Sequence, residues 1–288
     1  YRLSSNAFDR EKEAEKIEPQ KIYFLSVEGN RTEPEYFAGI SKYRKCLGID
    51  MRVDVEVLRR SSKDTNSAPK QVLELLEEYI RLREAGCGNL IKDIPDSFMQ
   101  LYGVDFIQQY LEKPSSIPRQ QRNDFVVRLR EIGYDINYRK YLSKYNHDMD
   151  SFGILIDRDE DTHSKKNMAE CICYCCQKGY DCYVSNPCFE FWLLLHLSDV
   201  SVEYRTRLKE LRENKKVTGM YTFVGKEVSD KAGHGKHNIN FKKNYLDHVD
   251  EAIARAKKFP MTGNELIDSM GSNIGNLIEA LRRYPVKS

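Results

Sequence analysis

The sequence predicts an α/β protein built on an open, mainly parallel sheet with helices on both faces. Two observations lead there. KIYFLSV (21–27) and SFGILI (151–156) are short, almost unbroken apolar runs, the pattern of strands covered on both faces. The order strand, helix, strand, helix is interrupted once and then resumes, which requires crossover connections and so a parallel sheet.

The first run ends at Glu28-Gly29, and Thr32-Glu33-Pro34-Glu35 then reads as a helix start. Thr32 serves as the cap, Glu35 closes a capping box and Pro34 is tolerated in a first turn, giving a helix to about Gly48. MRVDVEVL (51–58) alternates Val53, Val55 and Val57 with Asp54 and Glu56, the period of a strand with one wet face. The polar SSKDTNSAP separates it from QVLELLEEYIRLREAG, an amphipathic helix closed by Gly86.

Residues 91–150 break the alternation with aromatic, polar and basic segments, among them IPDSFMQLYGVDFIQQYLEKP and the Tyr-rich NYRKYLSKYNH. They read as an inserted, mostly helical subdomain. After SFGILI come a helix over Lys165–Lys178, a strand at YDCYVS and the helical FEFWLLLHL. Beyond Val200 the chain is charged and largely helical, with a Gly/His loop at AGHGKHN and helices near YLDHVDEAIARAKKF and NLIEALRR. The chain therefore divides into a flexible lead-in (1–20), a first part of the α/β domain (21–90), the insert (91–150), a second part (151–200) and a mainly helical C-terminal region (201–288).

With 288 residues and 40% hydrophobic content the chain can bury a sizeable core. Its 46 Lys and Arg against 44 Asp and Glu leave a net charge of +2, so any basic surface must come from uneven distribution. No apolar run approaches the roughly 20 residues that span a bilayer, and the opening YRLSSNAFDREKEAEK has no secretory h-region. The expectation is a cytoplasmic protein without a membrane partner. Cys171, Cys173, Cys175, Cys176, Cys182 and Cys188 fit neither CxxC knuckles nor Cys/His zinc spacing, and read as small buried hydrophobes on a helix and the following strand.

The chemistry is concentrated in FGILIDRDED (152–161), where a buried strand gives way to Asp157, Asp159, Glu160 and Asp161. Ligands of open α/β sheets gather at the carboxyl ends of the strands, and both Glu28 and the Asp157/Asp159 pair lie just past such ends. Two carboxylates one residue apart project to the same side, and a third from another strand completes an oxygen-rich pocket suited to Mg²⁺ or Mn²⁺. Such an ion activates water and stabilises charge during displacement at phosphorus. Glu28, where not committed to the ion, suits general acid–base work. A lone DxD also arises as a solvated turn that favours the next helix N-terminus, so the pairing with Glu28 carries the reading.

At VEGNRTEPEYF (27–37), ILIDRDED (154–161) and, most specifically, SNPCFEFWLLLHL (185–197), the sequence resembles the RloB-like family of bacterial anti-phage and restriction-linked operons, itself similar to Toprim-fold nucleases. The resemblance implies a Toprim-like core in which Glu28, Asp157 and Asp159 are catalytic and hold Mg²⁺ or Mn²⁺, with Asp161 as an auxiliary metal ligand. It implies a nuclease acting on DNA or RNA in defence, with a separate ATPase as partner. Asn186 and Glu190 in the third motif, and Lys231 and Lys236 in KAGHGKHN, are the candidate substrate-binding residues, the lysines toward phosphate. His196 reads as structural, satisfying a backbone carbonyl. GSNIGNLIEAL departs from a family segment that carries a proline and a threonine, so Asn273 receives no role. Two other classes compete: a non-catalytic Toprim-like nucleic-acid-binding or regulatory subunit, and a phosphatase of the haloacid dehalogenase kind. The latter expects Thr or Val where Asp161 stands, and it leaves Glu28 without a task.

Overall fold

Why the apolar runs are unbroken is explained by the sheet they form. In the computed structural model, which describes residues 19–58, 68–85, 90–92, 94–132, 134, 136, 149–159, 163–233 and 239–284, five strands pair in the order β2-β1-β3-β4-β5. They are β1 (Lys21–Val27), β2 (Val53–Val57), β3 (Ser151–Asp157), β4 (Asp181–Asn186) and the two-residue β5 (Gly271–Ser272). The first four are parallel and β5 is antiparallel to β4. Alternate residues of each central strand enter opposite cores. Tyr23, Leu25, Val27, Leu155 and Tyr183 face one side with α1 (Thr32–Lys42), while Ile22, Phe24, Ile154, Ile156 and Val184 face the other with α2 (Pro69–Ala85).

Between α2 and β3 lie α3 (Asp96–Tyr102), α4 (Val104–Glu112) and α5 (Arg119–Glu131). They enclose a hydrophobic cluster of their own, drawn from residues between Leu90 and Ile136, with Ile107, Phe125 and Leu129 fully buried. The Tyr-rich run at 137–147 lies outside the described residues, as do 1–18, Gly86 and 234–238.

After β3, α6 (Lys165–Lys178) starts where the Ser164 side chain accepts the Asn167 amide and ends at Gly179, whose φ of 73° is open to glycine without penalty. Next comes α7 (Phe189–Leu197), apolar all round and buried all round, the behaviour of a helix inside a core. The C-terminal region supplies α8 (Val200–Glu203), α9 (Leu208–Glu213), α10 (Phe223–Ala232), α11 (Phe241–Asn244), α12 (Val249–Ala256), α13 (Gly263–Asp268) and α14 (Ile274–Arg282). Of these, α10 and α12 pack on α7 and so close the core around it. Among the described residues no helix is long and apolar enough to cross a membrane.

Three local expectations need correction. Arg31, not Thr32, occupies the cap position of α1, and no side-chain bond closes there. Glu35 instead accepts the Ile239 amide at 2.8 Å, a long-range bond that no local capping pattern can reveal. The cysteines divide: Cys171, Cys175 and Cys188 are buried, but Cys173 and Cys176 are exposed because α6 is covered along one stripe only. Asn273 does have a structural task. Its Oδ1 accepts the Val184 amide at 2.7 Å and its Nδ2 donates to the Cys182 carbonyl at 3.2 Å, so one side chain satisfies the β4 edge where β5 is too short to do so.

A buried ion pair fastens α2 to the two central strands. Asp150, its side chain fully buried, accepts the Ile22 amide at 2.7 Å and pairs with Arg83 at 2.5 Å. The Arg83 guanidinium lies 5.2 Å from the ring centres of both Phe24 and Phe152. Arg83→Met keeps the volume but leaves the carboxylate buried without its cation. The expected loss is about 3–5 kcal/mol of unfolding free energy, measured by urea denaturation.

Candidate acidic site at the strand ends

Parallel pairing of β1 with β3 sets Val27 opposite Leu155, so the residues that follow leave the sheet side by side. Glu28 is the first residue beyond β1, and its Oε2 accepts the Asp157 amide at 3.0 Å. Its Oε1 lies 3.1 Å from His163 Nε2. Glu33, in the first turn of α1, folds back so that Oε1 accepts the Gly29 amide at 2.9 Å. A Cβ at position 29 would lie 2.1 Å from Glu33 Oε2, so a side chain there would push that carboxylate aside. Glu190 adds a fourth carboxylate from the first turn of α7.

These acids are close enough to act on each other. Burial pushes Asp157 well above the ordinary carboxylate range, and the charges of Glu28, Glu33 and Glu190 push it further. The Phe189 amide at the start of α7 opposes that rise. Glu33 is raised to about 7, first by burial and then by Glu190 and Glu28, against the lowering effect of backbone amides. Burial and the same acids, Glu190 and Asp157, also push the neighbouring Cys188 thiol up. Asp157 Oδ1 is enclosed and has no hydrogen-bond partner among the described residues.

The sequence-predicted residues fall in different places. Glu28, Asp157 and Glu190 meet in this cluster, joined by Glu33. Asp159 sits exposed on the turn after β3, where its carbonyl accepts the His163 amide at 2.9 Å. Asp161 and Lys236 lie outside the described residues. Asn186 is fully buried at the end of β4, its Nδ2 donating to the Leu266 carbonyl at 2.8 Å and its Oδ1 without a hydrogen-bond partner among the described residues. Lys231, at the end of α10, pairs with Glu203 at 2.8 Å. His196 answers to the structural expectation. A carbonyl only accepts, so Nδ1 donates to Trp192 O at 2.9 Å, and Nε2 receives the Tyr36 hydroxyl at 3.1 Å. Burial holds this imidazole down to about 3, so it stays neutral.

Two residues escaped the sequence reading. Glu33 was absorbed into a helix-start pattern, although its place in the turn after Glu28 was a usable signal. His163 had none, because its partner is 135 positions away.

Clustered carboxylate oxygens, one of them enclosed and without a hydrogen-bond partner among the described residues, are the donor type that a hard divalent ion takes. Among the described residues, no three His, Cys, Asp or Glu side chains already stand in a metal-holding arrangement. A family model described as RloB-like protein matches residues 23–281, which takes in most of β1, all of β2 to β5 and all four clustered acids. The chain belongs to the RloB-like family. The match to the RloB-like model thus runs through the insert and the C-terminal helices as well as the motifs at the strand ends. Searches of curated proteins and of solved structures gave no match.

The clustered acids make stability depend on pH with a definite sign. Glu33 loses its proton near its usual 4.5 when unfolded but only near about 7 when folded, so the folded state binds the proton more tightly. Its contribution is therefore full at low pH and is lost as pH rises through about 7. Urea denaturation of metal-free protein should show a fall in stability between about pH 5 and about pH 8, on the order of 3 kcal/mol at most from this group. Glu33→Gln should flatten that slope.

Proposed function

We propose that this RloB-like protein is a metal-dependent nuclease that hydrolyses phosphodiester bonds of DNA or RNA. The observation that carries the reading is Asp157, set among three other carboxylates with one oxygen unpaired among the described residues. Like charges crowded away from water are unfavourable, and a doubly charged cation turns the same arrangement into a favourable one. Glu28, Asp157 and Glu190 would hold Mg²⁺ or Mn²⁺, with Asp159, on the turn after β3, and Asp161 completing the acidic set. When bound, the ion supplies water activation and neutralises charge at phosphate.

The chain's own groups have separate tasks. Glu33 holds a proton near neutral pH, and because the Gly29 amide occupies Oε1, that proton falls to Oε2. A carboxyl poised this way suits proton transfer to a leaving oxygen. The amide of Phe189 and the positive end of α7 draw negative charge toward Asp157. The reading extends to a Toprim-type mechanism, a cytoplasmic setting and a place in anti-phage defence beside an ATPase partner, all supported by the motif resemblance.

One observation favours a second reading, a nucleic-acid-binding or regulatory subunit without catalysis: among the described residues no ready-made metal arrangement exists. Cleavage assays with Mg²⁺ and Mn²⁺ separate the two. Asp157→Asn should abolish metal-dependent cleavage while the protein keeps its fold by circular dichroism. Undiminished cleavage in that variant rules out the site, and tight metal-independent binding without turnover by the unaltered protein selects the subunit reading.

A further inference from the structure

We propose that His163 is a positioning residue that sets the orientation of the Glu28 carboxylate, and that Arg158 in turn holds His163 in place. The inference rests on reading the acidic cluster as a metal site and adds His163, outside the family motifs, and Arg158, between the acids of ILIDRDED. His163 is only 6% exposed, and its Nε2 lies 3.1 Å from Glu28 Oε1. The other oxygen of Glu28 takes the Asp157 amide at 3.0 Å. With a donor on each oxygen, the plane of the carboxylate is fixed, and each oxygen keeps a second lone-pair direction free for a cation. A carboxylate without such donors rotates freely about its last bond.

The main chain of His163 is itself clamped at both polar atoms. Its amide donates to the Asp159 carbonyl at 2.9 Å, and its carbonyl accepts Arg158 Nη1 at 2.8 Å. Arg158, 3% exposed, also donates from Nε to the Ile267 carbonyl of α13 at 2.8 Å and from Nη1 to the Asp159 carbonyl at 3.4 Å. Among the described residues its hydrogen bonds all go to main-chain carbonyls. A buried guanidinium spent in this way fixes backbone, and here it holds the main chain of Asp159 and of His163. The circuit closes: Asp157 amide to Glu28, Glu28 to His163, His163 to Arg158, and Arg158 to Asp157 through one peptide bond. Because the Nε2 hydrogen points at a carboxylate, that nitrogen has no lone pair to offer a metal, so its influence on an ion passes through Glu28. Groups that orient metal-binding carboxylates in this manner typically matter by 10–100-fold in affinity or activity.

The test compares the unaltered protein with His163→Ala and His163→Gln, whose amide donates from a similar position. Mn²⁺ affinity is read from the free-ion signal in electron paramagnetic resonance, folding from thermal melts, and kcat and KM from cleavage of plasmid DNA and of a single-stranded oligoribonucleotide. His163→Ala should weaken Mn²⁺ binding about 10–100-fold and lower kcat with KM for nucleic acid unchanged, and His163→Gln should recover most of both. If the alanine variant does not fold, His163→Asn, whose shorter amide falls short of Glu28, replaces it. Equal Mn²⁺ affinity in all variants overturns the proposal, as does nitrogen coupling from His163 on the bound ion, which would make it a direct ligand. Failure of the unaltered protein to bind Mn²⁺ sinks the acidic-site reading instead. The positioning claim is then decided in metal-free protein by the Glu28 carboxyl carbon resonance, which must shift in His163→Ala for the claim to stand.

Discussion

Mutual repulsion among four crowded carboxylates, Glu33 buried and the other three half-buried, is the constraint to which the rest of this fold answers. Glu28 and Glu33 come from one stretch of chain, Asp157 from the end of β3 and Glu190 from the start of α7, and each is brought inward by an element whose apolar face is buried elsewhere. Repulsion between such charges strengthens as water is excluded, because the effective dielectric falls. The backbone offsets part of it. Amides of Gly29, Asp157 and Phe189 all point at these carboxylates, and two of them belong to the starts of helices or the turns just before them. Retention of protons by Asp157 and Glu33 offsets more.

The spacing between two of the acids is set by a bond far from water. Tyr36 lies one helical turn beyond Glu33 on α1, and its hydroxyl meets His196 near the far end of α7. Phe37, Phe189, Trp192, Phe241 and Tyr245 surround that bond, several of them edge to face with Tyr36. The motif SNPCFEFWLLLHL therefore does two jobs with one segment. Its apolar residues fix α7 on every side, and Glu190 at its mouth is carried to the strand ends as a result.

Much of this was legible in the chain because long periodic segments dominate it. Lys165–Lys178 and Phe189–Leu197 coincide with the predicted helices, and the runs at 21–27 and 151–156 became the paired central strands. The acidic ends at Glu28 and Asp157 could be placed for the same reason, since parallel neighbours finish on one edge. What escaped were contacts with no local signature. Glu35 bonds to Ile239, Asn273 bonds to β4, and β5 has only two residues, too few for any period to show. The helix-start pattern at Thr32 misled because Thr and Glu serve equally well in a cap and in a turn that folds a carboxylate back onto its own backbone.

The small core at residues 90–136 bears on how the chain reaches its native form. Glu28 and Asp157 are 129 positions apart, and about half of that span is the segment between α2 and β3. Closing a connection costs only about 0.6 kcal/mol more for each doubling of its length. A segment that collapses on its own shortens the effective tether further, so the sheet carries this passenger at little thermodynamic disadvantage. The disadvantage is kinetic instead: β1 has to await a distant partner, and on the ribosome the two acidic ends are joined only after the passenger has been synthesised in full.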